Sequence, residues 1–374
     1  MICLTILAIG LVVFIAVTPQ GKTTFHTILF VSEVLELPVK AQSWFTDRPI
    51  RKEISYPIPN GQGIADIYHL PDSKPKAAVL LFLGANAAGR DDPSVVLLGN
   101  ALSRAGIVTM FHWSPTMALE NNIDTEEIEN LVWAFSHLQS QPYVDPDRVG
   151  IGGFCVGASF ALIAASDTRI AREVSFVNAF GPYYNAEDLL IQAASRTRYY
   201  RTSVEPWNPD RLTLSVLANE ITKVLPDSDD RQLLNDVFVH GNQASEQDIA
   251  GLSKQGLLGY NLLRGVSSRD EARELFLELP KEFHDELEAV SPKAHISNLS
   301  STVLILHDQD DNLVPSSESR RLFEKLSESE NEVRYTELMT FDHVRPTTRG
   351  SIKELSVEGY KLFRHMYSIL RIAN

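Results

Sequence analysis

The chain has 374 residues, 44% of them hydrophobic and 22% charged, with a formal net charge of −14. These are globular proportions in a chain long enough for a large core plus an insertion, and the spread-out acid excess argues against a nucleic-acid partner, which needs a basic face. Only two cysteines occur, Cys3 and Cys155. That number excludes a Cys-rich metal site, and the apolar surroundings of Cys3 argue against a structural disulfide. The sequence gives no reason to expect a metal or a cofactor.

From Ile2 to Val17 the chain is apolar and uncharged. With Thr18 and Pro19 the run approaches the roughly 17–25 residues of a membrane span. Residues 1–19 are therefore read as a single-pass anchor. Lys22 and Lys40 follow it, so the positive-inside rule puts the globular part in the cytoplasm. The competing readings are a cleaved signal that leaves a secreted protein, and a buried terminal helix. No Lys or Arg precedes the run and no small-x-small cleavage site follows it, which disfavours the signal. Residues 20–49 read as a juxtamembrane amphipathic segment, helical from Phe25 and ending near Pro38.

Ile50 to Pro57 and Ile64 to His69 read as an antiparallel hairpin around Asn60-Gly61-Gln62-Gly63. Ala77 to Leu83 is apolar enough for a strand buried on both faces. It runs into the small residues Gly84-Ala85-Asn86-Ala87-Ala88-Gly89. A helix from Pro93 to Ala105, a buried strand from Ile107 to Trp113 and a helix up to Gln139 follow. Asp124 is the expected cap of that last helix, with Glu127 at the capping-box position. Asp145-Pro146-Asp147-Arg148 is a turn, and Val149 begins another short apolar strand.

That strand runs into Gly153-Phe154-Cys155-Val156-Gly157, ahead of an apolar helical run to Ala165. Glycine, any residue, nucleophile, any residue, glycine is the form of a nucleophile elbow, here with cysteine in place of serine. Small neighbours are needed because a side chain at either glycine would strike the adjoining strand or helix. Next come strands at Val174 to Phe180, Thr302 to Leu306 and Val333 to Leu338, with helices at Ser316 to Leu326 and Ser351 to Ile372. The alternation argues an α/β fold with a mostly parallel, doubly wound sheet. Residues 50–182 and 296–374 form this core. Between them, residues 183–295 read as an all-helical insertion, expected to cap the carboxyl ends of the strands and shape a pocket.

A thiol that attacks an acyl carbon needs a base for its proton and a carboxylate to orient the base. Two later strand ends can supply them. One runs into His307-Asp308-Gln309-Asp310-Asp311-Asn312-Leu313-Val314-Pro315, the other into Phe341-Asp342-His343-Val344. Nucleophile, acid and histidine then follow in the chain order of the α/β-hydrolase fold. Cys155 sits at a helix N-terminus, which favours a thiolate. His343 is the general base, and Asp308, Asp310 and Asp311 compete as its orienting acid. The oxyanion donors expected are the N–H of Val156 with that of Ala85 or Asn86. Phe154, His112, Trp113, Tyr183 and Tyr184 also follow strands and are candidates for the pocket wall.

The chain resembles the α/β-hydrolase superfamily, and most of all the dienelactone hydrolase family. G-F-C-V-G is similar to that family's cysteine elbow, D-P-D-R-V-G-I-G-G to the strand leading into it, and H-D-Q-D-D-N-L-V-P to its acid loop. Aligning Val314-Pro315 with the end of that loop places the acid at Asp311. The resemblance implies a Cys155-His343-Asp311 triad hydrolysing an ester, lactone or thioester through a cysteinyl acyl-enzyme, with a small-molecule acyl substrate. Two departures limit it. Leu83-Gly84-Ala85-Asn86 stands where the family has a histidine-glutamate pair, and the long insertion lies outside the minimal family domain. Acyl transfer to another acceptor, peptide hydrolysis and a non-catalytic, membrane-tethered binding module are the alternatives.

Overall fold

The computed structural model describes residues 14–15, 17–37, 40–72, 74–85, 89–339, 341–346 and 351–373. Most of the expected anchor, together with Pro38, Asn86, Ala87 and Ala88, lies outside the described residues. Among those described, no helix is long and apolar enough to cross a membrane. The expected juxtamembrane helix takes a different course. Thr18 caps a helix α1 (Pro19–Val34), accepting a hydrogen bond from the Gly21 N–H, and the helix stops before Pro38. It is docked rather than free-standing, because Phe30 and Val31 are buried in the core with Leu362 and Met366 from the last helix.

The core strands are β1 (Ile50–Ile58), β2 (Gly61–His69), β3 (Lys76–Phe82), then helix α2 (Pro93–Arg104) and β4 (Val108–Trp113). Helix α3 (Glu126–Gln139), β5 (Val144–Phe154), helix α4 (Val156–Ala165) and β6 (Val174–Phe180) follow. The segment leading to the next sheet strand holds α5 (Ala186–Ser195), the hairpin β7 (Thr197–Tyr200) and β8 (Ser203–Pro206), and α6 (Arg211–Val224). It goes on through α7 (Lys254–Arg264), α8 (Arg269–Leu277), α9 (Lys281–Ala289) and shorter helical turns. The chain closes with β9 (Thr302–Asp308), α10 (Ser316–Ser327), β10 (Val333–Leu338) and α11 (Ile352–Ala373).

The sheet has eight strands in the order β1-β2-β4-β3-β5-β6-β9-β10. β1 and β2 pair antiparallel, β2 meets β4 antiparallel, and every later pairing is parallel. β4 lies on one side of β3 and β5 on the other, so the winding reverses at β3. In an open α/β sheet a crevice opens at such a point, beyond the carboxyl ends of the strands. Strand alternation splits the core in two. Ala78, Leu80 and Phe82 face one cluster with α3 and α4, whereas Val79, Leu81 and Leu83 face another with α1, α2 and α11.

The insertion is not all helical. Thr197–Tyr200 and Ser203–Pro206 pair antiparallel, turning at Arg201, which has a positive φ of 54°. The expected capping box at Asp124 is also rearranged. Asp124 accepts the Glu126 N–H at 3.0 Å, but Glu127 turns inward and meets His112 Nε2 at 2.6 Å.

Candidate active site

Cys155 sits between β5 and α4 with φ 55° and ψ −130°, a left-handed conformation that costs a residue with a Cβ on the order of 1–3 kcal/mol. Its own N–H is held by the Phe180 carbonyl at 2.8 Å. The flanking glycines are forced by close approach. A Cβ on Gly153 would lie 2.3 Å from the Gly157 carbonyl oxygen, and one on Gly157 would lie 2.4 Å from that of Phe82. No real side chain survives such contacts, so strand and helix can close on Cys155 only with glycine at both positions. Val156 is the first residue of α4, so its N–H has no acceptor within the helix and is free to serve a ligand. Ala85 stands beside it on the wall of the same cavity. Asn86, the other expected oxyanion donor, lies outside the described residues.

The acid loop leaves β9. Asp311 is 1% exposed, and its Oδ2 lies 2.5 Å from His343 Nδ1. Its Oδ1 accepts the N–H groups of Leu313 and Val314 at 2.7 and 3.0 Å. Burial acts to raise this carboxyl, but His343 and His307 outweigh it and hold the group well below the usual carboxylate range. The other two acids do different work. Asp308 accepts the backbone N–H of His343 at 3.1 Å, and burial pushes its carboxyl up to about 6. Asp310 is exposed and lies 3.6 Å from Arg198.

His343 Nδ1 meets Asp311 Oδ2, and Cys155 lies near enough to the ring to act on its charge. Burial works against its charge, yet Asp311 and then Cys155 overcome that, and the imidazolium is favoured well above the ordinary histidine range. The residue has a positive φ of 58°, which turns its ring back toward the elbow. The geometry therefore gathers a thiol, an imidazole and a fully buried carboxylate.

Two cavities meet at this point. One, about 600 Å³, lies under the insertion and includes Ala85, Cys155, Val156 and Tyr183 together with Leu217 of α6. The second, about 560 Å³, lies between the central strands and α1, α2 and α11, and includes Ala85, Phe154, Cys155 and His343, reaching Phe30 of α1. Both sizes are those of small-molecule sites, typically ~300–1,000 Å³.

Of the five expected wall residues, Phe154 and Tyr183 line a cavity and three do not. His112 points into the sheet face covered by α3, where it lies 2.5 Å from the Tyr56 hydroxyl and 2.6 Å from Glu127. Trp113 faces Gly89, and Tyr184 contributes its N–H to Glu318 at 3.0 Å. Tyr183 itself is tied down, donating its hydroxyl to the Val290 carbonyl at 2.8 Å.

Sequence reasoning missed two groups. Trp207, from the insertion, donates its indole N–H to the Asp311 carbonyl at 2.9 Å. His307 contacts the Val314 carbonyl at 2.9 Å and the Ser319 hydroxyl at 2.6 Å, bracing the acid loop from below. The only sequence signal for His307 is its position at the strand end; Trp207 carries none.

Sheet order, elbow and helix placement together define the α/β-hydrolase fold. The dienelactone hydrolase family model matches residues 112–196, the part of the chain that contains the elbow. Among solved structures, an acylaminoacyl peptidase complexed with a chloromethyl ketone is similar at 12% identity and a TM-score of 0.52, over 87% of this chain and 42% of that one. A 2,6-dihydroxy-pseudo-oxynicotine hydrolase is similar at 13% identity and a TM-score of 0.50, over 86% of this chain and 69% of that one. Likeness at these identities concerns the fold. The chain spans less than half of the peptidase structure. No curated protein sequence matches.

Proposed function

We propose that the protein is an acyl hydrolase acting on an ester, lactone or thioester through Cys155, His343 and Asp311. The observation that carries this reading is the bond from buried Asp311 to His343, with Cys155 near enough to act on the charge of that ring, at the junction of two ligand-sized cavities. Cys155 Sγ attacks the acyl carbon, and the developing oxyanion is met by the N–H of Val156 with that of Ala85. The imidazolium of His343 gives its proton to the leaving atom, then takes one from water in deacylation. Asp311 keeps the ring in the tautomer with its proton on Nδ1. The family match over residues 112–196 supports the class of reaction.

The test is turnover of short aryl esters and thioesters by the wild-type chain, with mass detection of acylated Cys155. Cys155→Ala abolishes turnover. Persisting esterase activity in that variant, or a thiol at Cys155 that iodoacetamide labels no faster than free cysteine at neutral pH, refutes the proposal.

A further inference from the structure

The two cavities are not equivalent with respect to the reacting atoms. Cys155 and Ala85 line both, Val156 lines only the cavity under the insertion, and His343 lines only the one on the face of the central strands. In the tetrahedral intermediate the oxyanion faces the N–H donors. The remaining two substituents, acyl chain and leaving group, must then diverge. The leaving atom must accept the His343 proton, so it lies on the histidine side.

From this we infer that the cavity between the central strands and α1, α2 and α11 holds the leaving group of the substrate, and that this group is an aliphatic alcohol or thiol. The inference rests on the catalytic reading above. Most of its walls are hydrocarbon, from Val95 and Leu98 of α2, Phe154 of β5 and Leu362 and Met366 of α11; the charged residues that also line it are Glu36 and Arg345, both exposed, and Asp92, which lies 3.9 Å from Arg345. The inward polar pair His365 and Asn178 is satisfied within itself, at 2.8 Å. Burial, with Arg334 nearby, holds His365 down to about 4, so that ring is neutral and adds no charge to the cavity. The cavity under the insertion differs in holding a buried carboxylate, Glu220, paired with Lys223, and a polar acyl group suits it better. The Cys155 Sγ–carbon bond forms as the carbon–oxygen or carbon–sulfur bond breaks. The electron pair leaves with the alcohol or thiol, which takes the His343 proton. Water then adds to the thioester, gives a proton to His343, and the thiolate departs.

Isomeric thioesters of equal carbon number test the assignment, because their hydrophobicity is matched. S-octyl thioacetate places the long chain in the leaving group, and S-ethyl thiooctanoate places it in the acyl group. The expected result is that S-octyl thioacetate has the higher kcat/KM, by about tenfold or more. Along the S-alkyl thioacetates kcat/KM rises by about fourfold per methylene, from ~0.8 kcal/mol per buried methylene, until the cavity is full. Leu98→Trp on one wall and Met366→Trp on the other each shrink the preference toward unity. Equal rates for the two isomers, a preference for S-ethyl thiooctanoate, or a ratio untouched in folded forms of both variants overturns the inference. Failure of the catalytic reading looks different: the wild-type chain then turns over neither isomer and Cys155 is never acylated.

Discussion

Replacing Asp311 with asparagine separates the three competing acids. Asp311 uses its oxygens in opposite directions, Oδ1 toward the N–H groups of Leu313 and Val314 and Oδ2 toward His343. In Asp311→Asn the amide oxygen keeps the two backbone donors, so the loop holds and the amide NH₂ falls opposite His343 Nδ1. Two donors cannot face each other, so the ring is forced into the tautomer with its proton on Nε2. The neutral ring then already carries its proton on the atom aimed at Cys155 and cannot take one from water in deacylation. Loss of a positioned base costs roughly 10²- to 10⁴-fold in kcat, about 3–5 kcal/mol of barrier. The lost charge also removes what keeps the imidazolium favoured, so His343 loses its proton at lower pH in the variant. Steady-state hydrolysis of a short thioester across pH, beside thermal melting, reads both effects. Asp310→Asn, on an exposed side chain, leaves kcat within about twofold. The reasoning is refuted if Asp311→Asn stays within tenfold of wild type while Asp308→Asn or Asp310→Asn falls further.

Three further outcomes follow from the same geometry. Gly181 has φ +64°, and a Cβ there would lie 3.3 Å from His343 Cε1 and 3.7 Å from Asp311 Oδ2. Gly181→Ala therefore shifts the ring and lowers kcat about ten- to hundredfold with little change in KM; an unchanged kcat rules this out. Glu318 accepts the N–H groups of Tyr184 and Asn185 at 3.0 Å each and the Gln192 amide at 2.6 Å, all at the root of the insertion. Glu318→Ala strands those buried donors and lowers unfolding stability by about 3 kcal/mol or more, whereas a urea midpoint matching wild type would sink that account. Burial holds His365 down to about 4 from 6.5 and pushes Asp308 up to about 6 from 3.8. The His365 contribution is present above pH 6.5 and lost as pH falls toward 4; that of Asp308 is present below 3.8 and lost as pH rises through 6. Relative to wild type, Asp308→Asn loses stability on acidification through that window and His365→Gln loses it as pH rises. Parallel Tm profiles would contradict both assignments.

What the sequence reveals here divides by range. Strands such as Ala77 to Leu83 are legible because a run buried on both faces has no polar alternation to confuse it, and the observed bounds differ by one residue. Cys155, Asp311 and His343 can be named as candidates because each stands at a strand end next to a local pattern, and the structure sets His343 against Asp311. The roles of the neighbouring groups cannot. His112 follows a strand like a pocket residue, and only the placement of Glu127, fifteen positions later on another element, turns it into a buried pair. The four-residue strands β7 and β8 are hidden for a similar reason, since T-R-Y-Y and S-V-E-P carry too little periodicity to outweigh the surrounding helices. Nothing local reports that α1 docks through Phe30 onto α11.

The insertion is bound to the chemistry more tightly than a lid would be. Trp207 Nε1 donates to the Asp311 carbonyl at 2.9 Å, the Asp210 N–H to that of Asn312 at 2.7 Å, and the Thr213 hydroxyl to that of Leu313 at 2.9 Å. Three successive carbonyls of the acid loop thus accept from one short stretch at the start of α6. The same loop positions the carboxylate from the other side, through the N–H groups of Leu313 and Val314. Lifting the start of α6 would break all three contacts at a cost of about 1 kcal/mol each, more where a carbonyl stays buried, and would free the loop that holds Asp311. Opening by a swing of the whole insertion would therefore dismantle the acid before substrate arrives. Any movement that admits substrate has to spare this root and occur farther along the insertion, or on the side where His343 borders the second cavity.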